Sequence, residues 1–413
     1  MLIMEIKGVP WIVRGQRSQE DIKEDAYLTT VEYQIYYAEV HNVTTKDGYI
    51  LELHRISGGD RYPPKPGKRV VLLTHGLLGS SADWVILGPG LALGYLLSDQ
   101  NYDVWLSNAR GNRYSRNHIS LNPENRDFWL FSFHEIGIYD LPSTIDYILD
   151  VTGQSSLFYC GHSQGSTTFW VLLSERPEYN SKIIMMQSFA PVAFMANPRS
   201  PIVQAFAQNL PAVEMMFATF GIYEFMPSSD WLRTSTQLLC SETSPVAYIC
   251  KNSLFLVVGF DPKQMNSTIL PQYLGHMPAG SSARQGFHYC QLAISDGFQQ
   301  YDFGAIENFR RYHQLNPPDY KLYRAHVPTV IHYAANDWIV NVTDVDKLTS
   351  MLPNVHLKHL INFENFNHFD YVIAADVKRL LYDMTDRSYL NLIRLQDMLK
   401  PFSGIVNHFV RKR

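Results

Sequence analysis

Long basic blocks, apolar runs of bilayer length and cysteine pairs of the metal-binding kind are all missing from this 413-residue sequence. The formal net charge is -4 and the basic residues are scattered, so no surface is built to neutralise phosphates and nucleic acid is not an expected partner. Every greasy stretch is broken by Gly, Pro, His or a charge within about a dozen residues, short of the roughly 20 that a membrane helix needs, so no transmembrane segment is expected. Four cysteines (Cys160, Cys240, Cys250 and Cys290) are too few for a disulfide scaffold, and none forms a C-x-x-C pair. Cys240 and Cys250 are close enough to make one local bridge. His356 and His359 lack a third ligand at a recognised spacing, and neither G-x-x-x-x-G-K-[ST] nor G-x-G-x-x-G occurs, so no metal and no cofactor is implied. The opening residues, Met1 to Lys7, show no basic segment followed by an unbroken apolar one, so a signal peptide is not visible. Against that, the sequons at Asn42, Asn266 and Asn341 suit a glycoprotein of the secretory pathway.

What is present is enough apolar material, 46% of residues, to bury a large core. Asp47-Gly48, ahead of the alternating Y-I-L-E-L-H-R-I, predicts a tight hairpin turn with positive φ angles. Five apolar runs then read as buried parallel strands: Arg69 to His75, Tyr102 to Asn108, Ser156 to Ser163, Ile183 to Ala190 and Thr329 to Asp337. A shorter sixth runs from Val355 to Asn362. Helical patterns separate several of them, including Leu141 to Val151 with Pro142 near its start. Strands alternating with helices predict an α/β fold with a mostly parallel central sheet. Between Ala190 and about Pro318 the alternation stops and the chain turns rich in Met, Phe, Pro and Gly. An insertion there would cover the sheet edge where ligands bind. The expected organisation is therefore residues 1–193 and 319–413 as two parts of one core, with 194–318 as a cap or lid. From about Arg387 onward, Leu392, Leu395, Leu399, Phe402, Val406 and Phe409 recur at helical spacing before Arg411-Lys412-Arg413. This tail reads either as a helix packed on the core or a disordered end, or as a basic amphipathic helix leaning on lipid.

Chemistry concentrates at Gly161-His162-Ser163-Gln164-Gly165, which matches G-x-S-x-G at the end of an apolar run and the start of a helical pattern. A strained strand-to-helix turn of this kind lifts a serine out of the sheet, and side chains in place of its two glycines would collide with the neighbouring strand and helix. A serine hydroxyl is a poor nucleophile and needs a base steadied by a carboxylate. In this architecture those follow in the order acid, then histidine. Asp337 ends the run V-I-H-Y-A-A-N-D, and His368 follows the last strand in N-F-N-H-F-D. Asp344 and Asp370 compete for the acid, and His359, inside a strand pattern, competes for the base. The oxyanion of an acyl-transfer intermediate needs two amide donors. Gln164, next after the serine, supplies one, and Leu77 in the loop His75-Gly76-Leu77-Leu78-Gly79 supplies the other.

The same residues resemble the acid lipase family, the animal group of gastric and lysosomal acid lipases. The resemblance runs from about Tyr37 to Asp383 through T-K-D-G-Y-I-L-E-L-H-R-I, H-G-L-L-G-S-S-A-D-W, S-N-A-R-G-N, Y-D-L-P-S-T-I-D-Y-I, G-H-S-Q-G-S-T and N-D-W. It implies an α/β-hydrolase fold with a cap and mobile lid, and hydrolysis of triacylglycerols or steryl esters at an oil-water or membrane interface. It places the triad on Ser163, Asp337 and His368, with Leu77 and Gln164 as oxyanion amides. It also implies a cap disulfide between Cys240 and Cys250, and a secreted or lysosomal location. Two other readings fit the same sequence: a carboxylesterase for small soluble esters, and a lipid-binding protein that keeps the fold without catalysis.

Overall fold

The computed structural model of the chain describes residues 36–389 except 229–233, 236–237, 241–243, 245–246, 267 and 386. All six expected apolar runs form strands: β3 (Arg69–Thr74), β4 (Tyr102–Leu106), β6 (Leu157–His162), β7 (Ile183–Phe189), β10 (Thr329–Tyr333) and β11 (Val355–Leu360). They pair in parallel in the order β4-β3-β6-β7-β10-β11. The hairpin of β1 (Tyr36–Thr44) and β2 (Tyr49–Gly59) extends the β4 edge, and β2 pairs antiparallel with β4 and with the short β5 (Asn117–His118). The inner strands are continuous apolar runs because helices cover both faces, so every residue of β4, β6 and β10 is buried.

The helix Leu141–Thr152 is typical of the cover. Pro142 sits in its first turn, where a missing N–H costs nothing, and Gly153 ends it at φ 65°. Leu141, Ile145, Ile148 and Leu149 fall at helical spacing and are all buried. Each such side chain contributes about 1.5–3 kcal/mol by leaving water.

All six runs are longer than the strands they form. Residues Asn108, Ser163 and Asp337 lie past the last paired residue, in the loops at the C-terminal edge of the sheet. This edge is where an open parallel sheet leaves room for a ligand.

The hairpin turn differs from expectation. It has four residues, Thr45 to Gly48, and only Gly48 is left-handed, at φ 98°. Thr45 closes the loop twice: its carbonyl accepts from Gly48 N (3.0 Å) and its hydroxyl accepts from Tyr49 N (2.9 Å). Asp47 is consequently free to turn its carboxylate toward Arg110.

Between β7 and β10 the chain is mainly helical, at Pro201–Gln208, Leu210–Thr219, Ala247–Val258, Ile269–Leu274, Ala283–Ser295 and Ala305–Tyr312. Among its described residues the strands are the two-residue β8 (Glu224–Phe225) and β9 (Ser281–Ser282), paired with each other. Residues Val258 to Gln264 return to the core: the Val258 carbonyl accepts from Trp338 N, and the Phe260 carbonyl accepts from Asn336 Nδ2. The helix Leu210–Thr219 and the turn after it leave Met215 and Phe220 70% and 73% exposed.

Cys240 is disulfide-bonded, and Cys160 and Cys290 are buried free thiols. The side chain of Cys250, its expected partner, lies outside the described residues, as does the tail from residue 390 on. Just before it, the ring of Tyr389 packs 4.7 Å from Phe158. Among the described residues no helix is long and apolar enough to cross a membrane.

Candidate active site

Ser163 is the single residue between β6 and the helix Gln164–Glu175, and it holds φ 52°, ψ −114°. A non-glycine residue pays for that backbone, so the surroundings must enforce it. They do so by proximity. A Cβ on Gly165 would lie 2.3 Å from the carbonyl oxygen of Thr74 on β3, and one on Gly161 would lie 2.5 Å from the backbone of Gly165. Strand, turn and helix are thus closer than any side chain permits. Gly165→Ala is expected to destabilise the protein by about 1–3 kcal/mol and to displace Ser163. A lowered Tm together with slowed labelling by a fluorophosphonate would report both effects.

The structure brings Ser163, His368 and Asp337 together. His368 Nε2 is 2.9 Å from Ser163 Oγ, and its Nδ1 is 2.7 Å from Asp337 Oδ2. The other oxygen, Asp337 Oδ1, accepts from the amides of Ile339 and Val340, both at 2.9 Å. Facing a carboxylate, Nδ1 carries the proton, which leaves Nε2 an acceptor aimed at the hydroxyl. All three residues are buried.

The rival residues are engaged in other hydrogen bonds. Asp344 accepts from the backbone and side chain of Asn197. Asp370 accepts from Asn367 N, and His359 on β11 meets His332 across 3.0 Å. His356, on the same strand, is exposed.

Leu77 and Gln164 both border this centre. No backbone carbonyl accepts from either N–H among the described residues, and that of Gln164 belongs to the first turn of a helix, where amides are unpaired. The carbonyl of Gly76 receives the Gly79 amide (3.1 Å) and His75 Nδ1–H (2.7 Å). It shares a rigid peptide plane with Leu77 N–H, so fixing the one aims the other.

His75 is a participant that the sequence reading left without a role. Burial lowers its pKa to about 4, so the ring stays neutral, and its Nε2 accepts from Ala109 N at 3.1 Å. His162 is a second such participant. Held well below the usual histidine range by burial, it donates from Nε2 to the carbonyl of His368 at 3.0 Å. The signal for both was their place at the C-terminal end of a buried strand: His162 is the last residue of β6, and His75 directly follows β3.

A cavity of about 280 Å³ opens over Ser163 and His368. Its wall is almost wholly apolar, with Leu210, Val213, Phe217, Val257 and Phe287 from the helical segment facing Leu77 and Met195. The polar groups converge at one end of a greasy chamber, an arrangement that fits an ester with an apolar acyl chain.

Residues 28–88 match a family described as a partial alpha/beta-hydrolase lipase region, and residues 69–246 match the alpha/beta hydrolase fold. Lipase 3 of Drosophila melanogaster is 41% identical, over 91% of this chain and 94% of its own length. Gastric triacylglycerol lipase of Bos taurus is 40% identical over 86% and 88%, and the Homo sapiens protein of that name is 37% identical over 86% and 88%. Among solved structures, a putative lipase from Sulfolobus solfataricus superposes with a TM-score of 0.56 at 12% identity, covering 86% of this chain and 94% of that one, which shows a common fold.

Proposed function

We propose, since this chain belongs to the acid lipase family of the α/β-hydrolases and is a carboxylic ester hydrolase, that Ser163, His368 and Asp337 are its catalytic triad and neutral lipid esters its substrates. The observation that carries the proposal is the hydrogen-bonded chain from Ser163 Oγ through His368 to Asp337, opening at the end of an apolar cavity. Ser163 Oγ attacks the ester carbonyl as His368 Nε2 takes its proton, and the amides of Leu77 and Gln164 hold the oxyanion. The imidazolium then protonates the departing alcohol, leaving an acyl-serine. Water, deprotonated by the same imidazole, releases the acid and restores the hydroxyl. Asp337 fixes the tautomer throughout.

Triacylglycerols or steryl esters are the proposed substrates, taken from an oil-water or membrane interface. The gastric triacylglycerol lipases among the relatives favour this reading, and so does the greasy wall above the serine. Residues 194–318 are proposed as the cap. The exposed Met215 and Phe220 would be stabilised at an oil surface, where the cap would open. A secreted or lysosomal location suits the disulfide at Cys240, since such bonds persist in oxidising compartments. Of the three sequons, Asn42 is exposed on β1, whereas Asn266 and Asn341 are half-buried; Asn341 Oδ1 caps the helix Val342–Met351, Asn266 Oδ1 accepts from Thr268 N, and among the described residues none of the three amide nitrogens that a glycan would use is engaged in a hydrogen bond.

Assays of the purified protein on triolein, cholesteryl oleate and a series of short-chain esters test the substrate class. Each added methylene buried is worth up to about 0.8 kcal/mol, so kcat/KM is expected to rise on the order of tenfold or more from a two-carbon to an eight-carbon acyl chain. A fall with chain length, with triolein untouched, would favour the small-ester carboxylesterase instead.

A further inference from the structure

Two more carboxyl groups lie beside the site and take no part in the relay. Asp261 sits on the segment that returns from the helix Ala247–Val258 to the core, and Asp370 is two residues past His368. They are 0% and 3% exposed, and the two side chains lie within hydrogen-bonding reach of each other. The surroundings offer little compensation for charge. Asp370 faces Asp261, Asp337 and the phenol of Tyr371, and the cation acting on Asp261 is the exposed Lys263 of its own segment. Asp261 Oδ2 is buried and receives no N–H or O–H from the described residues. Two buried carboxylates repel and cannot hydrogen-bond, whereas a carboxylic acid and a carboxylate can.

Each member of the pair also organises backbone around His368. Asp261 Oδ1 accepts from the amides of Lys263 (3.1 Å) and Gln264 (3.2 Å), and Asp370 Oδ2 accepts from Asn367 N at 2.6 Å. Asn367 Oδ1 accepts in return from Asp370 N and also from Phe369 N, and its Nδ2 donates to the carbonyl of Gly259 at 3.1 Å. His368 N donates to the carbonyl of Val258. The segment 258–264 and the loop 367–370 are therefore stitched together on both sides of the histidine.

We infer that Asp261 and Asp370 share a single proton and act as positioning residues, the hydrogen bond between them locking the loop that carries His368. The role rests on the triad reading above. Burial, aided for Asp370 by the facing carboxylates, raises both groups above the ordinary aspartate range. A raised acid contributes stability that is complete at low pH and lost as pH rises through its folded-state pKa. The lock therefore holds in acid and opens on the alkaline side, where the second carboxylate forms and the two repel.

Asp261→Asn separates the proton from the bond. Its amide donates to the Asp370 carboxylate at any pH, and its oxygen keeps both backbone contacts. The full chain is assayed on a soluble short-chain ester across pH, each kcat profile being normalised to its own maximum. The alkaline fall of the wild type is expected to move up by at least about one pH unit in Asp261→Asn. Asp370→Asn makes the same test from the other side. Asp261→Ala leaves no donor and is expected to lower kcat about tenfold with KM changed less than about twofold. Asparagine variants whose profiles superimpose on the wild type, or a wild type with no alkaline fall, overturn the shared proton. Fluorophosphonate labelling of Ser163, read in parallel, keeps the two ideas apart: superimposed profiles with Ser163 labelled sink only the pair, and an unlabelled Ser163 sinks the triad itself.

Discussion

Ser163→Ala is expected to lower kcat on every ester substrate by about 10⁶-fold while leaving the circular dichroism spectrum and Tm unchanged. The size follows from what the side chain does: without Oγ there is no acyl-serine, and any residual turnover must come from water acting in a cavity that still binds the substrate and its oxyanion. The fold should survive because alanine keeps the Cβ that already sits at φ 52° and because the hydroxyl's bond within the protein is to His368. Turnover of the variant is measured on the best substrate found for the wild type, beside a His368→Ala variant and the double variant. Members of one relay are non-additive, so the double variant should lose little more than either single one. Activity of Ser163→Ala within a hundredfold of the wild type would mean that another group attacks the ester. Unchanged binding of a non-hydrolysable lipid ether would show that the cavity is intact.

The convergence of Ser163, His368 and Asp337 was legible in the sequence because the three sit at punctuated places. Ser163 is framed by glycines that spacing alone exposes, and Asp337 and His368 each follow the last residues of an apolar run. What fixes the orientation of these residues was not legible. The carbonyls of Val258 and Gly259 that hold the His368 loop belong to backbone, which carries no sequence signal, in a segment more than a hundred residues away. His75 and His162 are likewise defined by their hydrogen bonds, and a histidine in a strand pattern looks the same whether or not it braces an active site. The hairpin turn shows the opposite error. Asp47-Gly48 suggested two positive φ angles, but Thr45 closes a longer turn through its carbonyl and hydroxyl, so Asp47 keeps an ordinary backbone and its carboxylate reaches Arg110. The family resemblance had pointed to T-K-D-G-Y, S-N-A-R-G-N and Y-D-L-P-S-T as separate strings, and their physical connection appears only in three dimensions.

That connection is one buried guanidinium, and Arg110→Ala is expected to destabilise the protein by about 3–5 kcal/mol, lowering Tm on the order of 10 °C. Arg110 is 1% exposed and lies 4.0 Å over the ring of Tyr49. Its Nη1 and Nη2 reach the two oxygens of Asp47 at 2.6 and 2.9 Å, and its Nε reaches Asp140 at 2.7 Å. It thereby ties the β1–β2 turn, the loop after β4 and the start of the helix Leu141–Thr152 into one joint. The two carboxylates shift in opposite directions because their burial differs. Asp140 is almost wholly buried, and desolvation raises it to about 6 even against Arg110; Asp47 is partly open to solvent, and there Arg110 outweighs desolvation and lowers it. The sign of the pH dependence follows from Asp140. The folded protein protonates it at a higher pH than the unfolded chain does, so its contribution to stability is present in acid and lost as pH rises through about 6. Removing Arg110 deletes the cation that opposes this loss, whereas Asp47 can turn back to water. The deficit in Tm should therefore be larger near pH 8 than near pH 5, where Asp140 can take up a proton and be buried neutral. Calorimetry of wild type and variant at the two pH values measures this, and an equal deficit at both would mean that Arg110 acts by packing on Tyr49 rather than by charge.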